Sequence, residues 1–500
     1  MRWLTVSSLR NKLEELFGAD LRSLALLRMG VAVLVLVDLI RRARDLTAHY
    51  TDGGVLPRWA LLEHHYNPWA VSVHFIAGSW QVQAVLFLVA AIFGAMLLVG
   101  YKTRLATIFT WYFLMSLQAR NPFVINSGDN LLKLLLFWGI FLPWGEFYSL
   151  DRVTRNSFAV SPRRVFSVAT FAYFMQVIFV YLFTVMMKTG VEWQSDASAL
   201  YYSLHMDQWV TSFGHLLGQL PEEALKFFTV TVVRFEWIGP FLLFVPVFTT
   251  FFRLMTLAGF FLLQLGIGLS FKIDLFAFIS VAAMFGFIPS WFWDNFIYRK
   301  KIKEDMAPSS GSSHSADQNH FFKDLAVFAR EMVLIFLLIY VFLFNVAFLP
   351  NSKFLFPSKL VWIGNFLGLG QNWAMFCPSP PKETGWFVVP GRLKNGEWVD
   401  VYRKGAKLKW EKPVLASREF KNDRWKEYIH VISSPERQKF LFYYGGYLCH
   451  EWNSKHAGSE ALEALYIYYV FSGTLPTNQS SPVGAMLLWS IACSDEGRST

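Results

Sequence analysis

Residues 166–193 read FSVATFAYFMQVIFVYLFTVMMKTGVEW, and how this stretch ends decides how the rest of the chain is read. From Phe166 to Met187 it runs about 22 residues without a charge, enough to cross a bilayer core at ~1.5 Å per helical residue. Lys188 closes it, followed by Thr189 and Gly190. An ammonium at that point either anchors the helix among lipid headgroups or faces a protected pocket, where it is available for chemistry.

The composition around this helix is that of a polytopic membrane protein. Of 500 residues, 54% are hydrophobic and 16% charged, where soluble domains carry about 25% charged residues. The net charge of +10 lies in short clusters beside apolar runs, where lysine and arginine set topology and meet anionic lipid. Membrane lipid is therefore the expected partner, and nucleic acid is not. In residues 1–20, Val6, Leu9, Leu13, Leu16 and Phe17 recur at helical spacing beside Arg10, Lys12, Glu14 and Glu15. That pattern predicts an amphipathic helix on the membrane surface, or else a solvated arm. It lacks a cleavable signal pattern, so the first membrane helix is expected to serve as its own signal.

Apolar runs place about nine spans, near 21–40, 80–100, 105–118, 131–147, 166–187, 228–249, 254–271, 275–293 and 325–349. The fold class is thus an all-α polytopic membrane helix bundle with a small C-terminal α+β domain. Its parts are an amphipathic start (1–20), a transmembrane domain (21–298), a polar linker (299–322) containing SSGSSHSADQ, a last membrane helix (323–349) and an extracytoplasmic domain (350–500). In that last part, Asn395-Gly396 marks a hairpin turn and residues 435–452 read as a helix. Its cysteines lack metal or redox spacing, although Cys377 and Cys449 can pair in an oxidising compartment.

Short-loop charges favour a cytoplasmic N-terminus. One side receives Lys102, Arg104, Arg152, Arg155, Arg163, Arg164, Arg253, Arg299, Lys300, Lys301 and Lys303. The other receives Arg120, Lys188 and Lys272, with Arg41, Arg42, Arg44 and Arg58 counting against the assignment. Nine spans then put Lys188 and the C-terminal domain on the outer face.

Three separated segments meet at that face: Arg120 with Asn126 and Asp129, Lys188 with Glu192, and Arg234 with Glu236. Ionisable groups at membrane depth are functional candidates because isolated burial is costly. Lys188 alone ends a long uncharged helix, which makes it the candidate base, against the plainer reading of a snorkelling lysine. Asp129 reads first as a helix cap and second as a partner for Lys188. Glu236 beside Arg234 reads as an intramembrane ion pair. His205, His215, His64, His65 and His74 lack the companions of a metal site, so none is assigned. Phosphate loops and nucleophile elbows are absent from the sequence, which argues against nucleotide hydrolysis and esterase chemistry.

The order RMGVAVLVLVDLI, YTDGGVLPR, RNPFVINSGDNLLKLLLFWGIFLPWGEFYSLD, YLFTVMMKTGVEWQSDASALYYSL and RFEWIGPFLLF resembles the HTTM (horizontally transferred transmembrane) family, bacterial proteins related to the vitamin K-dependent gamma-carboxylase. The likeness covers roughly residues 20–295, and QNWAMFCPSPP at 371–381 looks like the opening of the C-terminal domain of such proteins. The resemblance implies a bacterial inner-membrane protein in which Lys188 matches the lysine that deprotonates vitamin K hydroquinone, the step leading to carboxylation of peptidyl glutamate. There are departures. Asn126-Ser127-Gly128-Asp129 lacks the histidine that follows paired asparagines in the carboxylase, Gln264 stands where bacterial members carry histidine, and the long lumenal substrate-binding region is not recognisable.

The expected function is a membrane enzyme, carboxylase- or oxygenase-like, acting at the outer face on a lipid-soluble or quinone-like molecule, with reduced quinone as cofactor. Lys188 is its base, and Arg120, Asn126, Asp129, Glu192 and Glu236 shape the pocket. The alternative is a non-catalytic lipid- or quinone-binding or assembly protein that presents its C-terminal domain to a protein or peptide. A transporter is disfavoured, because inverted repeats and paired interrupted helices are not evident.

Overall fold

The computed structural model describes residues 6–65, 67–155, 163–297, 320–474 and 481–493. The expected linker falls largely outside them. The molecule is mostly helical, with a small sheet near the C-terminus.

The Val168–Met187 helix stands at the centre of the bundle, with 78% of its apolar window buried against 22–28% for Trp80–Val99, Thr249–Ser270 and Asp324–Ala347. Its start is fixed by a capping box in which the Ser167 and Thr170 side chains satisfy each other's backbone N–H groups. Aromatic residues give it wide contact surfaces. Phe174 stacks on Phe287 at 4.3 Å between ring centroids, and the Tyr173 hydroxyl donates to the Ala283 carbonyl at 2.5 Å. Between membrane helices such rings act through close packing and interhelical hydrogen bonds.

Five helices are long and apolar enough to cross a membrane, or six if the pair Phe276–Phe287 and Ser290–Ile297, bent by 88°, counts as one span. The sequence reading expected about nine. The Ser127–Gly139 helix has 13 residues, or about 20 Å, short of a hydrocarbon core about 30 Å thick. Glu222–Leu242 is long enough but carries Glu222, Glu223, Lys226, Arg234 and Glu236, and Thr103–Arg120 is diluted by threonines, Gln118 and Arg120. Arg28, inside the first apolar helix Leu21–Ala43, is fully buried and donates to the carbonyls of Tyr148 at 2.5 Å and Leu97 at 3.3 Å, so it faces protein. The Val6–Phe17 helix packs onto the bundle, Phe17 contacting Phe171 and Phe244.

The C-terminal sheet is antiparallel and five-stranded. Its long strand Leu462–Gly473 is flanked on one side by Glu383–Val388 and Pro390–Leu393, with Trp398–Asp400 beyond, and on the other by Gly484–Ala492. The hairpin turn at Asn395-Gly396 forms, and Gly396 supplies the φ of +88° that the turn requires. The helices Asp423–Ile432 and Leu441–Asn453 accompany the sheet. The core of this domain also contains Val55, Leu56, Phe123 and Val124 from the loops of the bundle, so the two parts are packed as one.

Two details differ from the sequence reading. Cys449 pairs with Cys493, with Cα atoms 5.4 Å apart, and Cys377 is a free thiol. The expected Cys377–Cys449 pairing fails because Cys377 is held at the end of the central helix, where its thiol donates to the Thr184 and Met375 carbonyls. Leu369 and Trp373, expected in the outer domain, are fully buried in the core of the helix bundle.

Candidate functional site

The site is built on the way the central helix stops. Lys188 is its C-terminal cap, with φ −78° and ψ 67°, and the chain turns away there. The returning segment 371–381 runs along the helix end and takes up its free polar groups. Gln371 bonds Gln176 at 2.9 Å, the Thr184 hydroxyl donates to the Trp373 carbonyl at 3.2 Å, and the Gly190 N–H donates to Pro378 at 3.0 Å. The Trp193 indole donates to the Phe376 carbonyl at 3.0 Å.

With the backbone held this way, the Lys188 side chain turns inward. It is 5% exposed, its Nζ lies 2.5 Å from Glu236 Oε2 and 4.4 Å from the centroid of the Trp193 ring. A snorkelling lysine would be solvated; this one sits in a buried ion pair under an aromatic face.

Lys188 and Glu236 line a cavity of about 600 Å³, in the middle of the ~300–1,000 Å³ range of small-molecule sites. Its walls are largely apolar, with Trp209, Met206, Leu263, Ile267 and Phe276 among them, and Met375, Phe376 and Cys377 of the returning segment closing one side. Asn126, Asn130 and Glu427 add polar groups. The Asn126 side-chain oxygen is engaged by the N–H groups of Gly128 and Asp129, and that of Asn130 by Lys133 at 3.2 Å. Both asparagines therefore keep an NH2 group for a ligand oxygen.

The residues proposed from sequence are sorted by this geometry. Lys188, Glu236 and Asn126 meet at the cavity. Asp129 completes a capping box with Asn126 and lies beneath it, in a buried cluster with Arg42, Asp38 and Arg424. Arg120 is fully buried elsewhere: it donates to the carbonyls of Leu56 at 2.9 Å and Thr51 at 3.1 Å, pinning the glycine-containing turn between them. Glu192 pairs with Lys382 at 2.5 Å and is not part of the cavity wall. The expected Arg234–Glu236 pair does not form. Positions two apart lie on nearly opposite sides of a helix, so Arg234 is exposed while Glu236 faces Lys188. Gln264 donates to the Tyr181 hydroxyl at 3.1 Å and is likewise outside the cavity lining.

Sequence reasoning missed Asn130, Cys377 and Glu427. Asn130 lies four residues beyond Asn126, a spacing that repeats on one helix face and was legible. Glu427 had no sequence signal, since it comes from the Asp423–Ile432 helix of the sheet domain. Burial pushes its carboxyl up to about 7, with Lys426 and Arg424 opposing.

Comparison of the chain with protein-family models, with curated proteins and with solved structures yields no match.

Proposed function

We propose that this chain is a polytopic membrane protein of the HTTM type whose outer-face cavity binds a lipid-soluble, quinone-like molecule, and that Lys188 and Glu236 together act on it as a proton-accepting pair. The observation that carries this reading is the buried Lys188–Glu236 contact of 2.5 Å in the wall of a largely apolar cavity. The topology is about nine membrane-crossing or membrane-inserted helices, with the short Ser127–Gly139 helix packed inside. The Cys449–Cys493 disulfide supports an oxidising, extracytoplasmic place for the sheet domain, in keeping with the distribution of lysine and arginine.

The pair sets the proton bookkeeping. With an ammonium facing a carboxylate, the vacant proton site is on Glu236. Lys188 takes a proton from a ligand hydroxyl as it passes one of its own across the contact to Glu236; the ligand O–H bond breaks and a Glu236 O–H bond forms. The ammonium then remains beside the new ligand anion. A reduced quinone supplies such a hydroxyl and the later redox chemistry. Asn126 and Asn130 orient the ligand through their NH2 groups.

A second reading, binding without turnover, is favoured by the same contact, because a lysine already paired is also a stable polar wall. The two separate in one experiment. Purified protein in nanodiscs is incubated with a short-chain naphthohydroquinone, oxygen and bicarbonate, beside Lys188→Ala and Glu236→Gln. Turnover lost in both variants with ligand still bound supports the proton-accepting pair. Binding without turnover in the wild type supports the second reading, and failure of the wild type to bind removes both.

A further inference from the structure

Glu427 lines the cavity from outside the helix bundle, and its carboxyl makes no hydrogen bond or ion pair among the described residues. A partly buried polar group in a largely apolar cavity is costly to leave without a partner. Its position is nonetheless well defined. One helical turn earlier, Arg424 is held by Asp38 at 2.8 Å and by Asp129 and Asp274 at 2.9 Å each, and residues three apart share a helix face. Asp129 follows directly on the cavity-lining segment that starts at Asn126, so Arg424 brings Glu427 to the part of the cavity where Asn126 and Asn130 offer their amides. The charges that act most on Glu427 are Lys426, Arg424, Asp423 and Asp129. The cavity therefore has a second set of polar groups, Asn126, Asn130 and Glu427, supplied by elements other than the helices that carry Lys188 and Glu236.

We propose that Glu427, with Asn126 and Asn130, forms a second oxygen-binding group in the cavity wall, so that the site selects an apolar molecule with two oxygens over one with a single oxygen. This rests on the lipid-soluble ligand reading above and adds a residue from the sheet domain to the site. The protonated carboxyl donates to a ligand carbonyl; the carboxylate cannot. Other ionisable groups facing this region are Lys272 and Asp274 on the adjoining connection and His430 on the helix of Glu427. Lys426 is occupied by the Lys272 carbonyl and the Trp209 ring, and His430 lies against the same ring.

The test uses the full chain in nanodiscs and two probes, 2,3-dimethyl-1,4-naphthoquinone and a tetralone of similar size with one oxygen. Binding is read from quenching of tryptophan fluorescence between pH 6 and 8. The wild type is expected to prefer the quinone about tenfold at pH 6 and to lose most of that preference by pH 8, the scale of one good hydrogen bond. Glu427→Leu should bind both probes alike. Glu427→Gln, a permanent donor of nearly the same shape, should keep the preference and flatten its pH profile, a result that a purely structural role would not produce. If the wild type binds the quinone while both variants keep its preference and its pH profile, the role of Glu427 is overturned and the cavity reading stands. If the wild type binds neither probe, both are overturned.

Discussion

Arg424 and Asp129 form a two-pronged ion pair across the junction of the sheet domain and the helix bundle, with one prong at 2.9 Å. Around them Asp38 and Asp274 face Arg42 and Arg41, so that three carboxylates meet three guanidinium groups in a largely buried cluster. The planar fork of arginine suits this, since one side chain reaches several carboxylates at once. The contact makes a separate-looking domain part of the cavity wall.

Removing that arginine should be felt throughout the junction. Arg424→Ala leaves three carboxylates facing two cations, and breaking a buried pair from one side costs about 3–5 kcal/mol. The expected result is a lower thermal unfolding midpoint and faster proteolysis of the sheet domain, with Arg424→Lys intermediate because it keeps the charge and loses the fork. An unchanged midpoint in Arg424→Ala would remove the cluster from any role in holding the domain.

Lys188 and Glu236 should be strongly coupled. Each of Lys188→Met and Glu236→Leu leaves a buried charge alone, at a cost of about 3–5 kcal/mol, while the double variant replaces both by apolar groups and should lose far less than the sum. Thermal unfolding of the four proteins measures this. Simply additive losses would mean that the two side chains do not share a contact in the folded protein.

The Glu427 carboxyl gives stability a defined pH dependence. Its folded-state value is raised from 4.5 to about 7, so its contribution is complete below about pH 4.5 and is lost as pH rises through about 7. Glu427→Gln should therefore match the wild type near pH 4.5 and be more stable than it at pH 8, by about 1–3 kcal/mol. Midpoints that differ equally at both pH values would contradict a raised carboxyl.

The cysteine assignment is checked by mass. Alkylation of the denatured, unreduced protein should label Cys377 alone, and after reduction all three cysteines. The disulfide spans 44 residues, so the chain-entropy argument gives about 4 kcal/mol of stabilisation, to be lost in Cys449→Ser. Labelling of three cysteines without reduction would refute the bridge.

Much of the fold was legible locally. The uncharged run before Lys188 and the Asn395-Gly396 hairpin are set by short-range periodicity and turn chemistry and formed as read, and Val6–Phe17 forms a helix. The number of spans was less legible, because an apolar run in a short helix buried by its neighbours, as in Ser127–Gly139, looks the same as one facing lipid. Within the site, Lys188 was marked by the helix it ends and Asn126 by its place before a helix, whereas Arg234 beside Glu236 misled because neighbours in sequence point apart on a helix.

By itself, then, the sequence determined that this chain carries helices long and apolar enough to cross a membrane, that one long uncharged helix stops on a lysine, and that a small α+β unit follows; all are consequences of residue type and local spacing. Only the tertiary structure decided that Lys188 turns inward to Glu236, that Cys449 takes Cys493, that segment 371–381 closes one side of the cavity, and that Glu427 reaches it from the sheet domain. These join residues tens to hundreds of positions apart. A buried charge takes the partner that packing brings within reach, and nothing in its own neighbourhood of sequence names that partner.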